Sequence, residues 1–168
     1  MDTFMYNNPS EKGNNMNAEE TRDRIIEIIN SLIQINNDRI EGYKRAADET
    51  DQPDLQLLFN RMMTKSEMLK SQLTAELRKY GGTPTDSTTT LGKVFRVWMD
   101  FKAAVTAKDR KAMLASCEFG EDAAQDTYNE AINENNSFLP VDLLQLITDQ
   151  RGQLRVDHNQ VTLLRNKE

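Results

Sequence analysis

The chain of 168 residues is long enough for one domain with its own apolar core. Charged residues make up 29% of it, and its seven glycines and four prolines are few for a fold of many short strands. The formal charge of −6 argues against a general nucleic-acid-binding protein, which needs a basic face to displace counterions from phosphates. The single cysteine, Cys117, excludes an intramolecular disulfide and is typical of a reducing compartment.

The first 16 residues are polar and show no hydrophobic periodicity, so residues 1–16 are predicted to form a flexible tail. They lack the apolar stretch of a signal peptide. No part of the sequence approaches the roughly 18 continuous apolar residues of a membrane span. We therefore expect a cytoplasmic protein without membrane association, built as a single domain over residues 17–168.

Two helices are predicted in the first half of the chain. Asn17 and Glu20 have the spacing of a capping box, and apolar residues at intervals of three and four then mark one buried face up to residues 48–51. A second helix is predicted to start at Pro53, which suits a first helical turn. It should end at Gly81, because glycine accepts the left-handed conformation that closes many helices.

The connection that follows combines a polar loop, residues 83–90, with an apolar segment over residues 91–105. This segment holds Phe95, Phe101 and the only tryptophan, Trp98. We predict a short extra helix here that covers one edge of the bundle. If it covers that edge incompletely, the exposed apolar patch would be a dimer or partner surface.

Two further long helices are predicted in the second half. Thr106 and Asp109 have cap spacing for the third, the Asn-Asn-Ser run at 135–137 ends it, and Pro140 opens the fourth. The two short links require antiparallel neighbours, whereas the roughly 25-residue connection can cross the bundle and leave the second and third helices parallel. This asymmetry predicts an all-α, ferritin-like four-helix bundle with one long crossover.

Polar residues at inward-facing positions are the candidate functional groups, since their burial costs free energy unless they are paired. They are Asn36, Asn37, Glu41, Ser66, Glu67, Glu118, Glu121, Asp122, Asp157 and His158. Bundles that bind two metal ions use inward carboxylates from all four helices, with Glu-x-x-His on two of them. The candidate metal ligands are therefore Glu41, Glu118, Glu121 and His158.

The histidine count argues against a two-metal site. Two Glu-x-x-His motifs need two histidines, but the chain has one, and Arg155 stands three residues before it instead of a glutamate. Lys70 and Lys79 occupy the corresponding positions after Glu67 and Glu76. A single weak site for iron, manganese or zinc and a buried network of ion pairs that fixes helix register are both compatible with the remaining groups.

Four runs carry a resemblance to a known family: residues 35–43, 80–84, 98–104 and 117–124. In this order they resemble an uncharacterised bacterial family of ferritin-like four-helix bundles, a domain of unknown function, over roughly residues 20–165. The resemblance implies a ferritin-like fold and a bacterial source, but it assigns no catalytic residue. Phe119 departs from the basic residue that usually follows Cys-Glu in that family.

Two functional hypotheses follow. The first is a non-enzymatic bundle without a cofactor that acts as a homodimer or through a protein partner, in a stress-related role. The alternative is a divalent-metal-binding or oxidative-chemistry protein with a degenerate site at the bundle centre. The sequence itself names no reaction.

Overall fold

The computed structural model describes residues 16–88 and 109–168. Four helices make up most of these residues: α1 (Ala18–Glu49), α2 (Pro53–Lys79), α3 (Arg110–Asn135) and α4 (Val141–Asn166). The prediction of an all-α four-helix bundle is confirmed. None of the described helices is both long enough and apolar enough to cross a membrane. The predicted tail, apart from its last residue, and the predicted short helix within 91–105 lie outside the described residues.

The ends of the first two helices follow the predicted signals. Asn17 caps α1 by accepting from the backbone N–H of Glu20, whose carboxylate accepts from the backbone N–H of Asn17, both at 2.9 Å. Pro53 lies in the first turn of α2. Gly81 ends α2 with φ 73°, and the next backbone N–H, that of Gly82, donates to the carbonyl of Leu77 at 3.1 Å. The left-handed glycine thus satisfies a terminal carbonyl that the helix itself leaves unpaired.

The start of α3 differs from the prediction. Asp109 is itself the cap residue and accepts from the backbone N–H of Ala112 at 3.0 Å, so the helix begins at Arg110. The prediction that Asp109 lies within the first turn of this helix was therefore wrong, and Thr106, the predicted cap, lies outside the described residues. A carboxylate at the cap accepts a hydrogen bond from an otherwise unpaired backbone N–H, and its negative charge interacts favourably with the positive end of the helix dipole.

Hydrogen bonds between the helices fix their directions. Asn36 and Tyr43 of α1 bond to Tyr128 and Glu121 of α3, so the chain directions of α1 and α3 are opposite. The link of residues 50–52 makes α1 and α2 antiparallel as well. Consequently α2 and α3 run parallel, and the end of α2 and the start of α3 lie at opposite ends of the bundle. These are the directions that the loop lengths indicated, while the ferritin-like classification stays a prediction.

The buried residues form two apolar clusters with polar side chains between them. One cluster gathers Ile25 to Ile35 of α1 with parts of the other helices, and the second gathers Tyr43 to Ala47 with α2, α3 and α4. The fully buried polar residues of the described bundle include Asn36, Asp38, Arg39, Ser66, Glu121 and Gln150, and Asp157 is 2% exposed. The core is thus interrupted at mid-height by polar groups from all four helices.

Candidate functional site

A buried cation lies at the centre of the bundle. Arg39 of α1 is fully buried, and its Nη2 donates to Oε1 of Glu121 on α3 at 2.6 Å and to Oδ2 of Asp157 on α4 at 3.2 Å. Its Nη1 donates to the hydroxyl of Ser66 on α2. Each of the four helices therefore contributes one residue to this cluster. We call Arg39, Ser66, Glu121 and Asp157, with the flanking Tyr43 and Lys65, the charged layer.

Two further residues complete the charged layer. The Tyr43 hydroxyl donates to the same Glu121 oxygen that binds Arg39. The Lys65 ammonium donates to Oδ1 of Asp157 at 2.6 Å, and its side chain is 26% exposed. Two cations and two carboxylates thus balance within one layer, which is the condition under which buried charges are tolerated.

The surroundings of Tyr43 and Arg39 in the charged layer raise the pKa of both side chains. Burial raises the pKa of Tyr43 well above its ordinary value, and the Glu121 carboxylate raises it further. The phenol therefore stays protonated and acts as a donor. Burial lowers the pKa of Arg39, but the charge of Glu121 and its hydrogen bond to Arg39, with the charge of Asp157, outweigh that effect and leave the pKa raised. The guanidinium remains a permanent cation.

Two atoms of the charged layer lack a hydrogen-bond partner within the described part of the chain. They are Nε of Arg39 and Oε2 of Glu121, both in fully buried side chains. Leaving a buried polar atom unpaired costs on the order of 1–3 kcal/mol. The charges of the layer therefore balance, but two of its buried polar atoms make no hydrogen bond within the described residues.

A neutral relay adjoins the charged layer on the side of the first apolar cluster. Asn36 Nδ2 donates to the Tyr128 hydroxyl at 2.9 Å, and Tyr128 donates to Oε1 of Gln150 at 2.7 Å. Gln150 in turn donates to the carbonyl of Leu69 at 3.2 Å and to the side chain of Gln72 at 2.9 Å. The relay crosses α1, α3, α4 and α2 in that order. It pairs specific atoms of all four helices and so favours one register.

The four candidate metal ligands lie in different places. Glu121 is buried in the charged layer, whereas Glu41, which the sequence placed at an inward position, is exposed. Glu118 is half-buried and binds Thr162 at 3.0 Å and Arg165 at 2.9 Å. The helical phase explains Glu41: Arg39 and Tyr43 take the inward positions of that turn, so residue 41 points outward.

His158 lies at the surface of the bundle, where α4 packs against α3. Its Nε2 lies 2.6 Å from Oδ1 of Asp122, and Asp122 is exposed although the sequence placed it inward. Within residues 16–88 and 109–168, no three His, Cys, Asp or Glu side chains gather into a group that could hold a metal ion. The structure therefore does not bring Glu41, Glu118, Glu121 and His158 together.

Sequence reasoning missed Arg39, the central residue of the charged layer. The available signal was its position, because Leu32, Asn36, Arg39 and Tyr43 follow one another at intervals of three and four on the buried face of α1. A charge on that face requires counter-charges from other helices. The sequence alone does not show which carboxylates supply them.

An open apolar groove lies on the surface between α2 and α4. Its volume is about 450 Å³, and its lining residues are Asp54, Leu55, Leu57, Leu58, Arg61, Gln160 and Leu164. Leu57 is 74% exposed at the edge of this groove, and Leu163, next to the lining residue Leu164, is 62% exposed. The guanidinium of Arg61 donates to Gln160 across the groove at 2.6 Å. We call this region the α2–α4 groove.

Comparison with known proteins bears on the family of the chain and not on its activity. The model of one family, described as a domain of unknown function (DUF2383), matches residues 24–134. The match includes Arg39, Ser66 and Glu121 and ends before α4, which supplies Asp157. No curated protein matches the sequence. The chain, matched over more than half its length, belongs to the DUF2383 family of unknown function.

Proposed function

We propose that this protein is a non-enzymatic helical bundle that acts by binding another polypeptide in the α2–α4 groove. The observation that supports the proposal is the groove itself, with leucines in its lining and Leu57 74% exposed at its edge. Contiguous exposed apolar surface with a polar rim is typical of a binding site for a protein or ligand. Asp54, Arg61 and Gln160 supply such a rim.

The position of the charged layer supports a non-enzymatic role. Arg39 and Glu121 are fully buried, and Asp157 is 2% exposed, so a substrate has no access to these groups in the described structure. They already bind one another across the bundle. We therefore assign the charged layer to holding the helices in register rather than to a reaction.

Site-specific photo-crosslinking in cells that express this protein tests whether the α2–α4 groove binds a polypeptide. In one variant, benzoylphenylalanine replaces Leu57. In the matched control it replaces Val141, which is 81% exposed and does not line the groove. We expect a discrete crosslinked species from position 57 in clear excess over position 141. Equal, diffuse crosslinking from both positions would contradict the proposal.

A divalent-metal site at the bundle centre is the second candidate. The observation that favours it is the convergence of two carboxylates, Glu121 and Asp157, and the Ser66 hydroxyl on one cation, with the Tyr43 hydroxyl bound to Glu121 beside them. Carboxylate and hydroxyl oxygens suit hard divalent cations. Against it, Arg39 supplies the cation that these oxygens bind, and a metal ion next to a guanidinium meets like-charge repulsion.

Metal analysis of the full chain distinguishes the two candidates. Protein purified without a polyhistidine tag is loaded with iron, manganese or zinc, dialysed and analysed beside the Glu121→Gln variant. Stoichiometric metal that the variant loses would support the metal site. Metal-free protein after all three loadings would rule out this second candidate.

A further inference from the structure

We propose that the occupant of the α2–α4 groove is a second copy of this chain, with the two α2 helices antiparallel across a twofold axis that passes between Leu57 and Leu58. The inference rests on the proposed function, because it names the polypeptide that the groove binds. It also fixes a register between the copies. That register is what the experiment below tests.

The spacing of residues on α2 defines the register. Asp54, Leu57 and Arg61 succeed one another at intervals of three and four, so they share one face of the helix. Asp54 and Arg61 are separated by about 10 Å at 1.5 Å per residue. In an antiparallel pair centred between Leu57 and Leu58, residue 54 of each copy faces residue 61 of the other.

Charge complementarity therefore occurs twice in this pair. A twofold interface uses the same patch on both copies, so each Asp54 meets an Arg61 and each Arg61 meets an Asp54. A parallel pair would instead place Asp54 opposite Asp54 and Arg61 opposite Arg61. Since like charges face each other in that arrangement, the order of charges along α2 selects the antiparallel one.

Both charged residues are available for this contact. Arg61 is exposed and donates to the neutral side chain of Gln160, which leaves further guanidinium donors. The Asp54 side chain is 65% exposed, and its hydrogen bond with Arg110 lowers its pKa, so the carboxylate is ionised at neutral pH. A carboxylate accepts more bonds than the two that Arg110 supplies.

The apolar part of the patch offers a second copy both an exposed leucine and an open groove. Leu57, which is 74% exposed, lines the groove together with Leu55, Leu58 and Leu164. Across the twofold axis, Leu57 of each copy meets the groove of the other. The patch thus combines an apolar centre with a charged rim, which is the usual composition of a protein interface.

Charge reversal in the full chain tests the register. Asp54→Arg sets the introduced arginine against Arg61 of the other copy, and Arg61→Asp sets the introduced aspartate against Asp54, so each variant alone repels itself. An equimolar mixture of the two variants pairs opposite charges at both contacts. Sedimentation velocity over a concentration series measures the dimer dissociation constant, and circular dichroism verifies that each variant folds.

We expect each single variant to dimerise at least about tenfold more weakly than the wild type, and the mixture to recover to within about threefold. The Arg110→Gln variant is the matched control: it removes the intrachain partner of Asp54 without adding repulsion, and it should dimerise like the wild type. Folded single variants that dimerise like the wild type, or a mixture that shows no recovery, would overturn the register.

The outcome also separates this inference from the proposed function. A wild-type chain that remains monomeric at every concentration, while position 57 still crosslinks to a different polypeptide, overturns the second-copy inference and leaves groove binding intact. Crosslinking that does not exceed the Val141 control contradicts groove binding itself. Crosslinked dimers that depend on position 57, together with recovery in the mixed variants, support both.

Discussion

The charged layer and the two apolar clusters on either side of it hold the helices together in different ways, although every residue of the layer except Lys65 is buried as deeply as the clusters. Ile29, Leu32 and Leu73 in the first cluster and Phe59 and Met62 in the second are fully buried and gain stability from non-directional removal of apolar surface. Arg39, Glu121 and Asp157 are bound by specific atoms at specific distances. A shift of one helix along its neighbour would retain much of the apolar contact and break the ion pairs.

The difference between non-directional apolar contacts and specific ion pairs indicates that the apolar clusters and the charged layer contribute differently to the fold. The apolar clusters supply most of the free energy of folding. A buried ion pair is weak evidence for stability, because desolvation offsets much of its attraction, but the loss of one partner leaves an uncompensated charge. We therefore expect that the charged layer specifies register and is sensitive to single substitutions, and the following experiments test that comparison.

The largest effect is expected from Glu121→Gln. The substitution leaves the buried Arg39 cation with Asp157 alone, which Lys65 already shares, and should lower the free energy of unfolding by about 3–5 kcal/mol. Urea unfolding followed by circular dichroism measures the loss. Glu130→Gln, the same change at an exposed position of α3, is the matched control and should remain within about 0.5 kcal/mol of the wild type. Equal stability of the two variants would contradict the role given to the charged layer.

A double-mutant cycle at Arg39 and Glu121 should show the next largest effect. Arg39→Met and Glu121→Met each strand a charged partner, whereas the double variant removes both charges and replaces them with apolar side chains. We expect the double variant to be about 1–3 kcal/mol more stable than the sum of the single losses predicts. Additive losses in urea unfolding would show that the two side chains do not act as a pair.

Alkaline pH should destabilise the middle of the bundle through its two buried tyrosines. Burial raises the pKa of both Tyr43 and Tyr128 above the ordinary value of 10, so above pH 10 the unfolded chain loses protons that the folded chain keeps. Stability is then fully present below pH 10 and falls as the pH rises, by up to about 1.4 kcal/mol per pH unit for each tyrosine.

The Tyr128→Phe variant isolates one of these tyrosines. It removes one titrating phenol, so its stability should decline less steeply with pH than that of the wild type between pH 10 and 11. Urea unfolding at several pH values in this range gives both slopes. Identical slopes for the two proteins would show that Tyr128 does not contribute to the alkaline destabilisation.

The smallest effect is expected from Asp122→Asn, one residue from Glu121. This substitution removes the carboxylate charge that faces His158 on the surface between α3 and α4, where water and side-chain freedom reduce the value of a charged contact. We expect a loss below about 1 kcal/mol in the same urea assay. A loss as large as that of Glu121→Gln would show that burial does not separate the two neighbouring carboxylates.

The sequence determined the elements of this fold because their signals are local. Apolar spacing fixed the four helices, Asn17 and Glu20 fixed the first cap, and Gly81 fixed the end of α2 through its own left-handed backbone. Link lengths predicted the helix directions, because a three-residue link requires antiparallel neighbours. The start of α3 differs from the prediction because the spacing of Thr106 and Asp109 does not show which of the two residues caps the helix.

Only the tertiary structure decided what lies at the centre of the bundle. Their residue types make Glu41, Glu118, Glu121 and His158 reasonable candidate metal ligands. The rotation of α1 nevertheless exposes Glu41, and the rotation of α4 places His158 at the surface between α3 and α4. The partners of Arg39 come from residues 66, 121 and 157 on three other helices, and no local pattern encodes that meeting. Spacing along a helix determines which residues share its face, but the rotation and register of packed helices determine which charges meet.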